Sequence, residues 1–203
     1  MAFIIATNNE HKLFELKKIL IPLGIDALSA KEANVNLLDV EETGTTFEEN
    51  AKLKAEAAFK LTGMPSIADD SGLEVDALNG EPGIYSSRYS GKDATDQKNI
   101  DKLLEKLKNV PDEKRTARFV CTICCILPSK EYIFVRGTVE GKIAFSKKGE
   151  SGFGYDPIFI TESGKSFAEL SPEEKNSISH RGNALRILSQ KLKDKLKKDN
   201  EEI

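Results

Sequence analysis

The sequence is poor in the residue types and segments that mark several protein classes. It has no tryptophan, two histidines and three cysteines in 203 residues. No apolar run is long enough to span a bilayer, and the opening Met-Ala-Phe-Ile-Ile-Ala carries none of the basic residues that begin a secretory signal. These absences argue against a membrane partner and predict a cytoplasmic protein.

The chain also lacks an excess of charge of one sign. Its formal net charge is -3 and its pI is near 5.6. Proteins that hold long nucleic acids need clustered Lys and Arg to neutralise phosphates. We therefore expect no nucleic acid polymer as partner, whereas a small anion in a local basic pocket is compatible with this charge.

The three cysteines lie in one apolar run, 117–127, which predicts a buried strand. Alternation along a strand places Cys121 and Cys125 on one face and Cys124 on the other. A Cys-x-x-Cys spacing can bind zinc or do redox chemistry, but the sequence has no second pair. We interpret the three thiols as small core residues.

What the sequence does contain is an alternation of strand-like and helical stretches. There is no internal repeat and no low-complexity linker, so we predict one α/β domain, 1–203, with a mixed sheet. The expected strands are 2–6, 66–69, 73–78, 117–127 and 132–145, the last two forming a hairpin. The expected helices are one after the polar turn at 7–9, one from about 46 to 62, one from about 96 to 108, and a final one. The first and last carry leucines at helical spacing, namely Leu13, Leu16, Leu20 and Leu23, and Leu185, Leu188, Leu192 and Leu196.

A polar segment between the first strand and helix is the first candidate for chemistry. Free N–H groups and the helix dipole attract anions at such a point, and hydroxyl, amide and ammonium donors meet there. The glycines of a P-loop are missing. The alternative is that Thr7 or Asn9 caps the helix while Lys12 is solvated. The segment consists of Thr7, Asn8, Asn9, Glu10, His11 and Lys12.

Two acidic groups form the second candidate. Glu41-Glu42 precedes a helix, and Asp69-Asp70-Ser71-Gly72 lies at the end of a predicted strand, the edge where α/β sheets hold ligands. Magnesium prefers such oxygen ligands and bridges them to substrate phosphates. Adjacent strand residues face opposite ways, so if Ile67 points into the core, Asp70 faces the ligand site at this edge. Ordinary turn chemistry and an exposed acidic edge are the alternatives.

Two segments nearer the C-terminus complete the set. In residues 151–157, glycines expose two aromatic rings beside a carboxylate, so that a purine could stack there, although such residues also build turns and cores. Lys175 and the run 179–182 follow a helix-start pattern. Arg181 offers a fork of donors for a purine oxygen or a phosphate, or else forms an ordinary ion pair, and His180 alone would be a hydrogen-bonded structural residue.

The motifs closely resemble those of the inosine triphosphate pyrophosphatase family, bacterial type. The resemblance extends from the first strand to the last helix, and motifs of this length in this order are highly specific. They are Thr7-x-Asn9-x-x-Lys12, Thr46-Phe47-x-Glu49-Asn50-Ala51, Ala68-Asp69-Asp70-Ser71-Gly72-Leu73, Pro82-Gly83-Ile84-Tyr85-Ser86-x-Arg88-Tyr89, Gly152-Phe153-Gly154-Tyr155-Asp156-Pro157 and Ser179-His180-Arg181-Gly182.

The resemblance implies an elongated mixed β-sheet with flanking helices that form two lobes around a central cleft, and it implies a homodimer. It also implies roles for the residues that match. Residues 7–12 would hold the triphosphate, Glu41 and Asp70 would bind Mg²⁺, Asp70 would also accept a proton, and Ser71 would touch the substrate. The nucleotide pocket would be formed by Phe153, Gly154, Tyr155, Asp156, Lys175, His180 and Arg181.

The expected activity is hydrolysis of non-standard purine nucleoside triphosphates, such as ITP, dITP and XTP, to the monophosphate and pyrophosphate. Arg181 is the expected donor to the purine six-position oxygen. Two alternatives stay open: a non-catalytic nucleotide sensor and a pyrophosphatase for standard nucleotides.

Overall fold

The computed structural model of the protein describes residues 2–37 and 40–201. The side chains of Ile19, Leu23 and residues 196–201 lie outside this description, so the expected roles of Leu23 and Leu196 do too.

The chain folds into strands and helices that follow most of the expected pattern. The strands are β1 (Ala2–Ile5), β2 (Asp26–Ser29), β3 (Ser66–Val75), β4 (Thr116–Ile126), β5 (Tyr132–Ile143) and β6 (Phe159–Ile160). The helices are α1 (Glu10–Leu20), α2 (Phe47–Thr62), α3 (Asp96–Lys106), α4 (Pro172–Ile178) and α5 (His180–Glu201).

The strands form one sheet in the order β2-β1-β3-β4-β5-β6. The pairs β1/β2 and β1/β3 are parallel, with Ile4 opposite Leu28 and Ser66, whereas β5/β6 is antiparallel, with Ile143 opposite Phe159. The predicted mixed α/β class is therefore confirmed.

The chain divides into two compact units, each assembled from separate stretches of sequence. The first unit comprises residues 1–70, 121–137 and 181–203, and the second comprises 71–120 and 138–180. Strands β3, β4 and β5 contribute residues to both.

The first unit has hydrophobic cores on both faces of its strands. Residues of α1 and α5 form one core with Cys121 and Cys125, and it includes the buried Leu185, Leu188 and Leu192. Alanines of α2 form the other core with Cys124. All three thiols are buried, so their interpretation as core residues, facing as alternation predicts, is confirmed.

The second unit has its own core, rich in aromatic rings. Phe119, Phe159 and Phe167 lie with ring centroids 4.6–5.6 Å apart, together with Leu73, Ile100 and Leu103. Offset and tilted ring pairs at such distances stabilise a core beyond the area that they bury.

Local signals set several helix ends. The Thr46 and Thr95 side chains accept hydrogen bonds from backbone N–H groups three residues later, and Gly63 ends α2 in the left-handed conformation. Ser171 and Glu174 form a capping box at α4, where Pro172 occupies the first helical position.

One prediction about the strands is wrong. Asp69, Asp70 and Ser71 do not lie at the end of a strand; they lie inside β3, which runs without interruption from Ser66 to Val75. Turn residues are tolerated there because side chains from other elements bind both carboxylates.

Candidate active site

The segment between β1 and α1 is held by its own side chains. Asn9 is the N-cap of α1, and its side chain accepts a hydrogen bond from the Lys12 backbone N–H at 3.1 Å. The Thr7 hydroxyl accepts one from the Asn9 backbone at 3.2 Å, and Asn8 donates to the Leu37 carbonyl. Asn8, Asn9, Glu10 and His11 are exposed, so the segment presents the positive end of α1 to solvent.

Lys12, Asp69 and Arg181, which are far apart in the sequence, meet in the first unit. Asp69 is 1% exposed, and its Oδ2 lies 3.2 Å from Lys12 Nζ and 3.2 Å from Arg181 Nη2. The Arg181 guanidinium is 2% exposed and also donates through Nη1 to Glu15, one helical turn after Lys12. The buried Asp69 carboxylate and the buried Arg181 guanidinium thus offset each other's charge.

These neighbours hold Asp69 as an anion. Burial would raise its pKa, but the charges of Lys12, Arg181 and Lys54 outweigh burial, and the pKa of Asp69 lies well below its usual range. Asp69 therefore stays ionised at neutral pH and cannot accept a proton.

Asp70 points to the opposite face of β3 and has different partners. Its Oδ2 accepts a hydrogen bond from Asn50 Nδ2 at 3.1 Å, and its Oδ1 lies 3.5 Å from Lys54 Nζ. Asn50 and Lys54 are four residues apart on α2, so both reach the same side of that helix. Asp69, by contrast, contacts Cys121 in the core that contains Ile67, as alternation predicts.

The environment of Asp70 raises its pKa. Burial is the largest cause, and it outweighs the opposing charges of Lys54 and Lys12. The pKa values of these two adjacent carboxylates are thus shifted in opposite directions. Such an arrangement lets one carboxylate serve as a fixed charge and the other as a proton acceptor.

Glu42 is a second carboxylate that contacts Lys54. Its Oε1 lies 2.6 Å from Lys54 Nζ, whereas Glu41 is exposed. In the described part of the chain, no group of three or more His, Cys, Asp or Glu residues could hold a metal by itself. The donor set still fits magnesium, because Mg²⁺ commonly uses one or two carboxylates and completes its shell with water and substrate phosphates.

A second cluster lies in the second unit, on the loop Gly152–Asp156. Asp156 is 3% exposed, and its Oδ2 accepts from the Phe153 backbone N–H at 2.9 Å and from Lys175 Nζ at 2.8 Å. Gly152 has a φ of +83°, and a Cβ there would lie 2.2 Å from Asp156 Oδ2. Glycine is therefore required at 152 for two independent reasons.

Two residues that follow this loop lie with the aromatic core of the second unit. Lys175 Nζ lies 5.7 Å from the centroid of the Phe167 ring in that core and 4.8 Å from that of Phe153, both within the range of a cation–π interaction. His180 is 6% exposed and stacks on Phe119 with centroids 4.8 Å apart and planes inclined by 13°. Ser71 is half-buried within β3.

The structure brings together residues whose roles the sequence left unassigned. Glu15, Asn50 and Lys54 contact the predicted site residues. Asn50 belongs to one of the family motifs, whereas only helical spacing from Lys12 and from Asn50 could have indicated Glu15 and Lys54. Strand alternation correctly separates Asp69 from Asp70, but it says nothing of the ion pairs that Asp69 forms.

Comparisons with known proteins agree with these features. Residues 3–191 match the Ham1 family. The dITP/XTP pyrophosphatase of Bacillus subtilis is 52% identical over 190 residues, 93% of this chain and 96% of that one. The dITP/XTP pyrophosphatase of Shigella flexneri is 51% identical over 194 residues, 94% of this chain and 98% of that one.

A solved structure supports the same relationship. The Ham1 protein of Staphylococcus aureus superposes with a TM-score of 0.85 at 48% identity, covering 96% of this chain and all of that one. The similarity in sequence and in structure extends over nearly the whole chain, and the chain belongs to the Ham1 family, which confirms its resemblance to inosine triphosphate pyrophosphatases.

Proposed function

We propose that this protein is a dITP/XTP pyrophosphatase, which hydrolyses the α–β phosphoanhydride bond of ITP, dITP and XTP and removes these nucleotides from the pool. The curated relatives carry that name at 50–52% identity. The observation that carries the proposal is the pair Asp69 and Asp70, adjacent carboxylates with opposite pKa shifts beside Lys12 and Lys54.

The two clusters have different chemistry, and we assign each its own part of the nucleotide. In the first unit, residues 7–12 bind the triphosphate through the exposed start of α1 and through Lys12. In the second unit, Phe153 offers a ring for stacking, and Gly154, Tyr155, Asp156, Lys175 and His180 shape the nucleobase site. Ser71 contacts the substrate.

Asp70 accepts the proton of the attacking water. The water oxygen bonds to phosphorus as the α–β bridge breaks, so that the monophosphate and pyrophosphate are the products. Lys54 and Asn50 orient the Asp70 carboxylate, and Lys12 neutralises charge on the phosphate chain. Asp69 keeps Lys12 and Arg181 in place.

Asp70 and Glu41 are the proposed Mg²⁺ ligands, and Glu42 adds a carboxylate to their surroundings. Mg²⁺ held by these carboxylates would neutralise phosphate charge and polarise the bond that breaks. The proposal therefore predicts turnover that a chelator abolishes and magnesium restores.

Selectivity requires a donor to the six-position oxygen, because the amino group of adenine would leave a buried donor facing a donor. Arg181 is our candidate for that donor. Its Nε, Nη1 and Nη2 all donate to Asp69 or Glu15, so these two carboxylates fix the orientation of the guanidinium. In an Arg181→Lys variant, the preference for ITP over ATP should fall.

The decisive measurement is pyrophosphate release from ITP, dITP, XTP, ATP, GTP and dTTP, each with magnesium and with chelator. Magnesium-dependent release from the first three supports the proposal. Tight ITP binding without release from any of them would identify a sensor. Equal release from all six would identify a pyrophosphatase for standard nucleotides.

A substitution tests the role of Asp70 directly. Asp70→Asn should lower kcat at least about a hundredfold, the scale of a lost general base, while ITP binding largely remains. Asp26→Asn removes an exposed carboxylate from the same unit and serves as the control. Turnover of Asp70→Asn close to that of the control would refute the assignment.

We also propose a homodimer, since the family resemblance implies one, and a cytoplasmic location, as the sequence predicts. In the described part of the chain, no helix is both long and apolar enough to cross a membrane. Light scattering should give about twice the chain mass of 22.4 kDa, and a monomeric mass would contradict the dimer.

A further inference from the structure

Hydrogen bonds between Phe153 and Asp156 fix the shape of the Gly152–Asp156 loop but not its place against the rest of the chain. Gly152 and Gly154 have φ values of +83° and +59°, a conformation that other residues rarely adopt. The loop nevertheless carries Phe153 and Asp156, both of which contact Lys175. Its position must therefore be set by contacts to neighbouring segments.

One such contact comes from the first turn of α3. The Gly154 backbone N–H donates to Asp96 Oδ2 at 2.7 Å, a short hydrogen bond to a charged acceptor. Asp96 directly follows Thr95, the N-cap whose side chain accepts from the Lys98 backbone N–H. The carboxylate is therefore presented from the fixed end of a helix.

A second contact holds Tyr155, the residue after Gly154. Tyr155, 4% exposed, donates its hydroxyl to the Ser86 carbonyl at 2.9 Å. The same carbonyl accepts from Asn99 on α3, and Asn99 also accepts from the Ser90 backbone and hydroxyl. Helix α3 thus holds the loop twice, directly through Asp96 and through the segment that Asn99 binds.

The two contacts differ in what they support. Tyr155 and Asn99 are buried, so replacing either would disturb the core of the second unit. Asp96 is exposed, and its hydrogen bond to Gly154 lies between the two residues that the loop presents to Lys175. A change at Asp96 can therefore move the loop while leaving the core intact.

From this geometry we infer that Asp96 is a positioning residue for nucleobase recognition: its hydrogen bond to Gly154 keeps Phe153 and Asp156 where they bind the base. The inference rests on the proposed function, and it adds a residue from outside the predicted site. Asp96 acts through the loop and touches no reacting atom.

Three variants test the inference. Asp96→Ala removes the acceptor, Asp96→Asn keeps an acceptor oxygen without the charge, and Glu105→Ala removes an exposed carboxylate of α3 that contacts Lys108. Loss of one charge-assisted hydrogen bond should raise the KM for ITP about tenfold in Asp96→Ala, with kcat within about twofold. The preference for ITP over ATP should fall in parallel, Asp96→Asn should recover most of both, and Glu105→Ala should match wild type.

Hydrogen–deuterium exchange of residues 150–158 supplies a readout that needs no activity. Exchange should be faster in Asp96→Ala than in Glu105→Ala, because the Gly154 N–H loses its acceptor. KM and selectivity equal to those of Glu105→Ala would overturn the inference, as would altered kinetics with unchanged exchange.

Failure of the proposed function would look different. Wild-type protein would then release no pyrophosphate from ITP, dITP or XTP. ITP affinity from calorimetry would replace KM: about tenfold weaker binding in Asp96→Ala would support the positioning role, and unchanged binding would overturn it.

Discussion

At the scale of single residues, the unusual group is Asp69, a fully buried carboxylate held by Lys12 and Arg181. Removing one partner of such a pair leaves an uncompensated buried charge, which costs about 3–5 kcal/mol. Asp69→Asn should therefore destabilise the protein by about 3 kcal/mol at pH 7, measured by urea unfolding. A destabilisation no larger than that of Asp26→Asn would contradict this account.

The three cysteines give a prediction about reactivity and pH. Burial raises the pKa of Cys121, Cys124 and Cys125 to about 12, and the charge of Asp69 adds to this effect at Cys121. Because the thiolate is the nucleophile, iodoacetamide at pH 8 should leave the native protein unmodified. Mass spectrometry should show three alkylated cysteines after unfolding in urea; rapid alkylation of the native protein would disprove their inertness.

At the scale of elements, the capping box of α4 sets the first turn of the helix that carries Lys175. The Ser171 side chain accepts from the Glu174 backbone, and the Glu174 side chain accepts from the Ser171 backbone. Ser171→Ala should lower the free energy of unfolding by about 1 kcal/mol. Ser171→Asp, which can cap the same helix, should recover most of the loss; equal stability of all three proteins would show that the cap contributes nothing.

The elements also show where reasoning from the sequence alone reaches its limit. Periodicity and caps located β1, α2 and the β4–β5 hairpin nearly to the residue, because those signals act within a few residues of chain. The prediction of two strands on either side of Asp69–Gly72 is wrong, since one continuous strand runs through these residues. Turn propensity depends only on neighbouring residues, whereas Lys54, Asn50 and Arg181, which bind the two aspartates, are distant in sequence. Strand β2 is not among the predicted strands, because its four residues are too few to show an alternation of apolar and polar residues.

At the scale of the whole molecule, the position of α5 in the chain predicts how a C-terminal truncation affects folding. Helix α5 comes last and supplies Ala184, Leu185, Leu188 and Leu192 to a core of the first unit. Losing a large buried side chain costs about 2–5 kcal/mol, so several together exceed the typical stability of a domain, about 5–15 kcal/mol. A chain that ends at Ser179 should not fold.

Protease resistance and near-ultraviolet circular dichroism would test this. A chain that ends at Lys195 keeps all four residues and should behave like wild type. Native-like resistance of the shorter chain would show that α5 is dispensable.

The sequence by itself determined the α/β class, the caps, the buried thiols and the family, because each depends on local pattern or on motifs in fixed order. Tertiary structure alone decided which charges meet. Asp69 and Arg181 are 112 residues apart, and no spacing rule joins them. The same holds for Glu42 rather than Glu41 beside Lys54, and for the raised pKa of Asp70, since burial and the distances between charges exist only once the chain has folded.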